Sequence, residues 1–399
     1  MRHSIRVLVA IVAIFAVYFV APVAAKSSLP APQISFARFA LSGGSADGNV
    51  SRAGGTLTLT SGTDGYWTSA PQDAQFDFDE LVASWNATTP TDTWITVEMR
   101  ATGSGRSTKW YTMAIWTSDA VPAHRTSVPA QGDADGFIAI DTFIRSKKAA
   151  TLRTYELKVG LHRTGAAATP AVRFVGAMTS ATVAKYSIPS TTTGVVRDIT
   201  AVPSYSQETH VGHFPEFDNG GEAWCSPTST AMILDFWGAG PTSAELAAFP
   251  GAGHTDGQVD YAARAVYDWN YQGAGNWPFN TAYAGARGLN GFVTRLRSLS
   301  EAERFIAAGI PLVASINGRL PGFFFGKTNG HLLTIVGFTA SGDVISNDPA
   351  VPTNGEVHKT YGRADFEEVW LGGSGGIVYV IYPNGVPLPP NVPDLPANW

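Results

Sequence analysis

Cysteine is almost missing from this chain: one residue, Cys225, in 399. A single thiol cannot bridge within its own chain, so a disulfide-stapled fold is excluded. Charge is scarce too. Only 15% of residues are Asp, Glu, Lys or Arg and the formal net charge is −5; no cluster of Lys and Arg is present to neutralise phosphates along one face, which argues against nucleic acid as a partner. No phosphate-loop lysine occurs, and "GARGLNG" spaces its glycines without a strand before it, so no nucleotide site is expected. No uncharged apolar run reaches the roughly 20 residues of a comfortable membrane span. The candidate, residues 7–20, follows Arg2 and Arg6 and precedes Val23, Ala24 and Ala25. That order is a secretory signal over 1–25, which predicts a secreted, extracellular protein with no stable membrane span after cleavage.

What is present falls into two styles. Hydrophobic residues make up 44%, enough for one large core or two ordinary ones, and two domains are expected. From about residue 36 to 188 the chain reads as short β-prone runs such as "GTLTLTSG", "TWITVEMRATG", "KWYTMAIWTS" and "RTYELKVGLHR", broken by Gly, Asp, Ser and Thr. In "TWITVEMR", Trp94, Thr96, Glu98 and Arg100 share one face and Ile95, Val97 and Met99 the other, the period of a half-buried strand. Repeated strands with turn signals predict an all-β, antiparallel sandwich domain over 26–190.

A linker over 191–201 then leads into a second module, 202–385. Helical patterns stand at "SPTSTAMILDFWG", "VDYAARAVYDWN" and "SEAERFIAAG", the last with Ser300 and Glu303 spaced as a capping box. Strands follow at "IPLVASI", "HLLTIVGFT", "DVISND" and "GIVYVIYP", so helices first and a sheet afterwards predict an α+β domain. The tail, 386–399, is proline-rich and expected to run extended over the surface.

Cys225 sits where the first of these helices begins. Pro227 suits a first turn, where its missing N–H costs nothing, and Gly238 suits the exit. At a helix N-terminus the dipole favours thiolate over thiol, and free backbone N–H groups can hold an oxyanion. A thiol nucleophile also needs a base. Of the histidines beyond the signal (His124, His162, His210, His213, His254, His331 and His358), His331 opens a strand beside the glycines of "GKTNG", where a sheet can carry its imidazole rigidly. The strand turns at "ASGD" and returns as "VISNDPA", bringing both Asn347 and Asp348 towards His331 as possible orienting groups. A plain hairpin register stops Asp348 short of His331, so a bulge or strong twist is required.

Read in order, "VPSYSQ", "WCSPTSTAMILDFWG", "GHLLTIVGF" and "NDPA" resemble the papain-like bacteriocin-processing peptidases, the thirty-ninth cysteine peptidase family, and more closely its secreted stand-alone relatives. The resemblance spans roughly 202–382 and implies a papain-like cysteine peptidase domain behind the sandwich, with a peptide or protein substrate. It implies Cys225 as nucleophile, His331 as general base, Asp348 as the residue orienting His331, and Gln207 as a side-chain donor to the oxyanion. Two departures stand out. Ser226 replaces the glycine usual after the cysteine, and "ETHVGHFPEFDNGGEAW" lengthens the gap from Gln207 to Cys225. The histidines and acids of that insert, His210, His213, Glu216 and Asp218, fit a structural loop or a metal; the structural reading is taken, and neither metal nor cofactor is expected for the reaction.

Two further enzymic outcomes stay open, an acyl transferase that resolves the thioester with an amine and a cell-wall peptide amidase. So does an inactive extracellular binding protein, with the sandwich engaging a cell-surface or carbohydrate ligand. Other sites are set aside. "GGSGG", 372–376, fits a serine-hydrolase elbow only in letters, because a strand follows it where a helix is needed. "GDADG", 132–136, lacks a full calcium loop. The aromatics Trp67, Trp94, Trp110 and Trp116 are read mainly as core.

Overall fold

The computed structural model describes residues 32–399 apart from 167, 182–189 and 251–252. The secretory signal and much of the stretch before the linker lie outside the described residues. Among the described residues, no helix is long and apolar enough to cross a membrane.

Residues 34–180 build two seven-stranded antiparallel sheets. In one, Thr93–Gly103 is flanked by Tyr111–Trp116 and Leu152–Arg163. Ile95, Val97 and Met99 are fully buried on its inner face. On the outer face Glu98 stands opposite Lys158 and Arg100 opposite Glu156, with ion pairs of 2.8 and 2.6 Å; opposite charges directly across a ladder hold the register. The other sheet centres on Glu80–Thr88 and Ala171–Ser180.

Glu80–Thr88 is buried on both faces, which the two-residue period alone does not explain. Its second face meets the C-terminal half. Asn86 accepts from Gly291 N at 3.1 Å and donates to Gly291 O at 2.7 Å, while Ser84 Oγ accepts from Val293 N at 3.0 Å. These side chains satisfy the free edge of the first strand in the third sheet, so the edge is covered rather than left to pair with another chain.

That third sheet runs Asn290–Arg295, Ile377–Tyr382, Leu312–Arg319, Lys327–Phe338, Val344–Asn347, His358–Tyr361. Arg197–Asp198, inside the expected linker, pairs with Lys327–Phe338 as a short seventh strand. Among the described residues six helices accompany it: α1 Cys225–Phe236, α2 Ser243–Ala248, α3 Gly257–Val266, α4 Trp277–Ala286, α5 Leu299–Ala307 and α6 Arg363–Ser374. Helices do not all precede the sheet, because α5 and α6 fall between its strands. The sequence reading passes over α2, α4 and α6. α4, "WPFNTAYAGA", is almost wholly buried and therefore carries no amphipathic stripe. The cap of α5 is Ser298, whose Oγ accepts from Glu301 N at 3.3 Å, not Ser300, which donates to Thr191 O. The tail is fastened rather than loose: Trp399 is 6% exposed and lies edge-on to Phe305 at 5.0 Å.

Candidate active site

α1 begins at Cys225 and buries every residue from Ser226 to Leu234. A helix so enclosed is fixed in place, and its first turn carries N–H groups with no carbonyl one turn earlier to receive them. Cys225 is half-buried and opens onto a cavity of about 830 Å³ that His331 and Gln207 also line. The departure at Ser226 is explained by its direction: the hydroxyl turns inward to Tyr379 Oη at 2.9 Å, away from the cleft.

His331 lies within Lys327–Phe338, four residues past its start, and is 4% exposed. Its Nε2 donates to Asp348 Oδ1 at 2.8 Å, which leaves Nδ1 as the nitrogen available to the Cys225 thiol. A bulge makes this pairing possible. Thr334 faces Asn347, but the register slips between Ile335 and Gly337, so the chain leaving Asn347 bends towards the start of the neighbouring strand. Asp348 also accepts from Ala350 N at 3.0 Å, and its Oδ2 accepts from Tyr361 Oη at 2.5 Å. The carboxylate is fully buried with donors on both oxygens.

The electrostatics follow. Burial is the largest influence on His331 and opposes its charged form, but the charge and hydrogen bond of Asp348, with a contribution from Cys225, outweigh it and raise the imidazole pKa to about 10. Burial likewise pushes Asp348 upward, and the imidazolium and the Tyr361 hydroxyl overcome it, leaving the carboxyl below its usual range. Tyr361 was not identified from sequence. Nothing in "HKTY" marks it, because its role depends on a strand two places from that of His331 in the sheet order. Asn347, the alternative orienting group, is engaged elsewhere: its Nδ2 donates to Val202 O and Pro203 O, and its Oδ1 accepts from His358.

Those contacts place the segment that carries Gln207. Ser206 N donates to Asn354 Oδ1 at 2.7 Å and Gln207 N to Pro349 O at 2.9 Å. Gln207 Nε2 donates one hydrogen to Glu222 O at 2.8 Å, while its buried Oε1 meets no partner among the described residues. The amide is thus oriented by the carbonyl of Glu222, inside the insert, three residues before Cys225.

The N-terminal sheets form one wall of the same cavity, through Glu80, Ile140, Asp141 and Thr142. Asp141 Oδ2 accepts from Trp277 N at 2.9 Å at the start of α4, and burial raises its carboxyl to about 6. Beside it Ile140 has φ +59, a left-handed conformation that a β-branched residue adopts only under constraint. Opposite, Phe323 lies 5.0 Å from the His331 ring, and Phe325 lines the mouth at 56% exposure. A second cavity of about 440 Å³ shares Glu80, Trp277, Arg295, Ser315, Asn329 and Gly330 with the first, so the two form one extended groove.

The sites set aside have structural employment. Ser374 Oγ, in the glycine-rich stretch, donates to the carbonyls of Ser315 and Trp370. Asp133 accepts from Asp135 N, Gly136 N and Tyr111 Oη, closing a turn. Trp67 and Trp116 are core, whereas Trp94 stacks on His124 at 3.9 Å and Trp110 lies beneath Arg100 and Lys158 at 4.7 and 4.6 Å.

Residues 37–180 match the family model described as Peptidase C39 N-terminal domain, and residues 199–376 match that described as Peptidase_C39 like family. No curated protein matches the sequence. Among solved structures, one described as a C39-like peptidase, from Bacillus anthracis, is 16% identical, with 47% of this chain and 96% of that one covered at a TM-score of 0.27. A prointerpain A fragment from Prevotella intermedia is 13% identical, with 50% and 76% covered at 0.30. At TM-scores this low neither overlay bears on the fold.

Proposed function

We propose, for a chain that belongs over residues 37–180 and 199–376 to the C39-like peptidases, that it is a secreted cysteine peptidase hydrolysing peptide bonds through a thioester on Cys225. The observation that carries this reading is the shared cavity: Cys225 at the first turn of α1 faces the same space as His331, whose far nitrogen is held by Asp348.

In the proposed cycle the Cys225 thiolate attacks the scissile carbonyl carbon. The carbonyl oxygen takes the negative charge and receives the Cys225 N–H and the second N–H of the Gln207 amide. His331, charged at neutral pH, passes a proton to the leaving amine; the C–N bond breaks and a thioester remains. Neutral His331 then draws a proton from water, which attacks the thioester, releases the carboxylic acid and returns the thiolate and imidazolium. Asp348 does not take the proton. It holds the imidazole in the tautomer and rotation that present Nδ1 to the sulfur. The N-terminal sheets, read as a sandwich, act as a wall of the substrate groove, which Ile140 lines.

Incubation of the full chain and of Cys225→Ala with a mixed peptide pool, read by mass spectrometry with and without an added amine, tests the reading. Cleavage by the parent alone, with water as acceptor, supports it. Products capped by the amine would make the chain an acyl transferase, and an intact pool with an unreactive Cys225 would leave a binding protein.

A further inference from the structure

The insert between Gln207 and Cys225 opens with two histidines that belong to a cluster the peptidase chemistry does not use. His210 Nδ1 lies 3.2 Å and His213 Nδ1 3.1 Å from Asp260 Oδ1, and His254 Nδ1 lies 3.1 Å from Asp260 Oδ2. Asp260 stands on α3 and is 1% exposed. Three of the chain's eight histidines therefore turn the same ring nitrogen to one buried carboxylate from two separate segments. One imidazolium would satisfy the charge of that carboxylate; three imidazoles supply neutral nitrogen donors.

The spacing fits a metal. Four ligands at about 2.0–2.1 Å from a tetrahedral ion lie about 3.3 Å from one another. The contacts of His210 and His213 to Asp260 Oδ1 already have nearly that length, and the ligand atoms of these three residues all lie within 4.8 Å of one another, while His254 approaches the other carboxylate oxygen. His210 is fully buried and is held through Nδ1, the ring nitrogen that faces Asp260. The Glu216 and Asp218 of the same insert do not join: Glu216 is exposed and Asp218 accepts from Ala274 N at 3.2 Å.

We infer that His210, His213 and Asp260 hold one divalent transition-metal ion of the Zn²⁺ class, and that His254, which approaches the other Asp260 oxygen, swings in as the fourth ligand. An imidazole-rich shell with a single carboxylate selects such ions over Mg²⁺ or Ca²⁺. The ion has no part in the bond cleavage. It clamps the insert to α3, and because His210 N donates to Gln207 O at 3.0 Å, it fixes the turn that carries the Gln207 amide.

The test is a Zn²⁺ titration by calorimetry of the full-length chain in a Cys225→Ala background, which removes the thiolate and imidazole pair as a competing zinc site. The chain is first stripped with EDTA. One equivalent of Zn²⁺ is expected, with a rise in Tm on addition and, with Co²⁺, the intense visible bands of a tetrahedral site. His213→Ala and His254→Ala, both partly exposed positions, should each weaken binding about tenfold or more while keeping the parent's Tm in EDTA. No Zn²⁺ or Co²⁺ uptake by the parent at a roughly hundredfold excess, or an affinity in both variants equal to the parent's, overturns the inference. If one variant fails to fold, the parent titration and the other variant decide it. Neither result depends on whether the chain is a peptidase.

Discussion

Asp348 lies 2.8 Å from His331 across two adjacent strands, although Asn347, its neighbour, pairs with Thr334. A regular ladder would set Asp348 opposite Leu333. The slip near Val336 supplies the bend, and Tyr361 on the next strand along fixes the second carboxylate oxygen. An imidazole and the carboxylate bonded to it thus derive their geometry from an irregularity in a buried sheet.

Iodoacetamide alkylation of Cys225 tests the pair most directly. The parent should react fast at about pH 5 to 6, because the thiolate is stabilised by imidazolium, and His331→Ala should react slowly until about pH 8 to 9. Identical profiles in both proteins would remove His331 from the mechanism.

Asp348→Asn should move the alkaline limb of kcat/KM. His331 has a raised pKa of about 10, so its proton is present below that value and lost as pH rises through it. Without the anion of Asp348 the limb should fall by about one unit or more. The stability from the ion pair, full below the unfolded pKa near 6.5 and lost through about 10, should shrink in the same variant. A limb that stays in place argues that another group sets it.

Tyr361→Phe leaves one Asp348 oxygen without its strongest donor. The expected result is a loss of about 1–3 kcal/mol in stability and a drop of about tenfold in kcat with KM little changed. A variant with the parent's kcat and pH profile would show that Tyr361 only fills space.

Gln207→Ala should lower kcat by about 10²–10³, with KM within a few-fold. Unaltered kcat would mean that the Gln207 amide, already bonded to Glu222 O, never reaches the oxyanion.

Ile140→Gly relieves a left-handed backbone at a hairpin that lines the groove. Gain from relieved strain and loss from a freer unfolded chain offset each other to within about 1 kcal/mol, so stability should change little. KM for the cleaved peptide should rise a few-fold with kcat retained. No change in KM would remove the N-terminal wall from substrate binding.

Much of the site was legible one residue at a time. Cys225 before Pro227, and His331 at the head of an apolar strand, are local patterns, and local patterns survive in a linear text. So are the alternating faces of Thr93–Gly103. The strand-end choice between Asn347 and Asp348 rested on the family resemblance alone, since both sit at the same turn and only the bulge separates them. Nor was Tyr361, nor the wall contributed by Ile140 and Asp141, nor the gathering of His254 and Asp260 with His210 and His213. What the sequence alone determined was the set of chemically able groups and the elements that carry them, because periodicity and capping act over a few residues. Which of those groups meet was decided by the tertiary structure, where a register slip of one residue and the docking of the N-terminal sheets against α4 bring residues as far apart in sequence as Glu80 and Ala350 to one cavity.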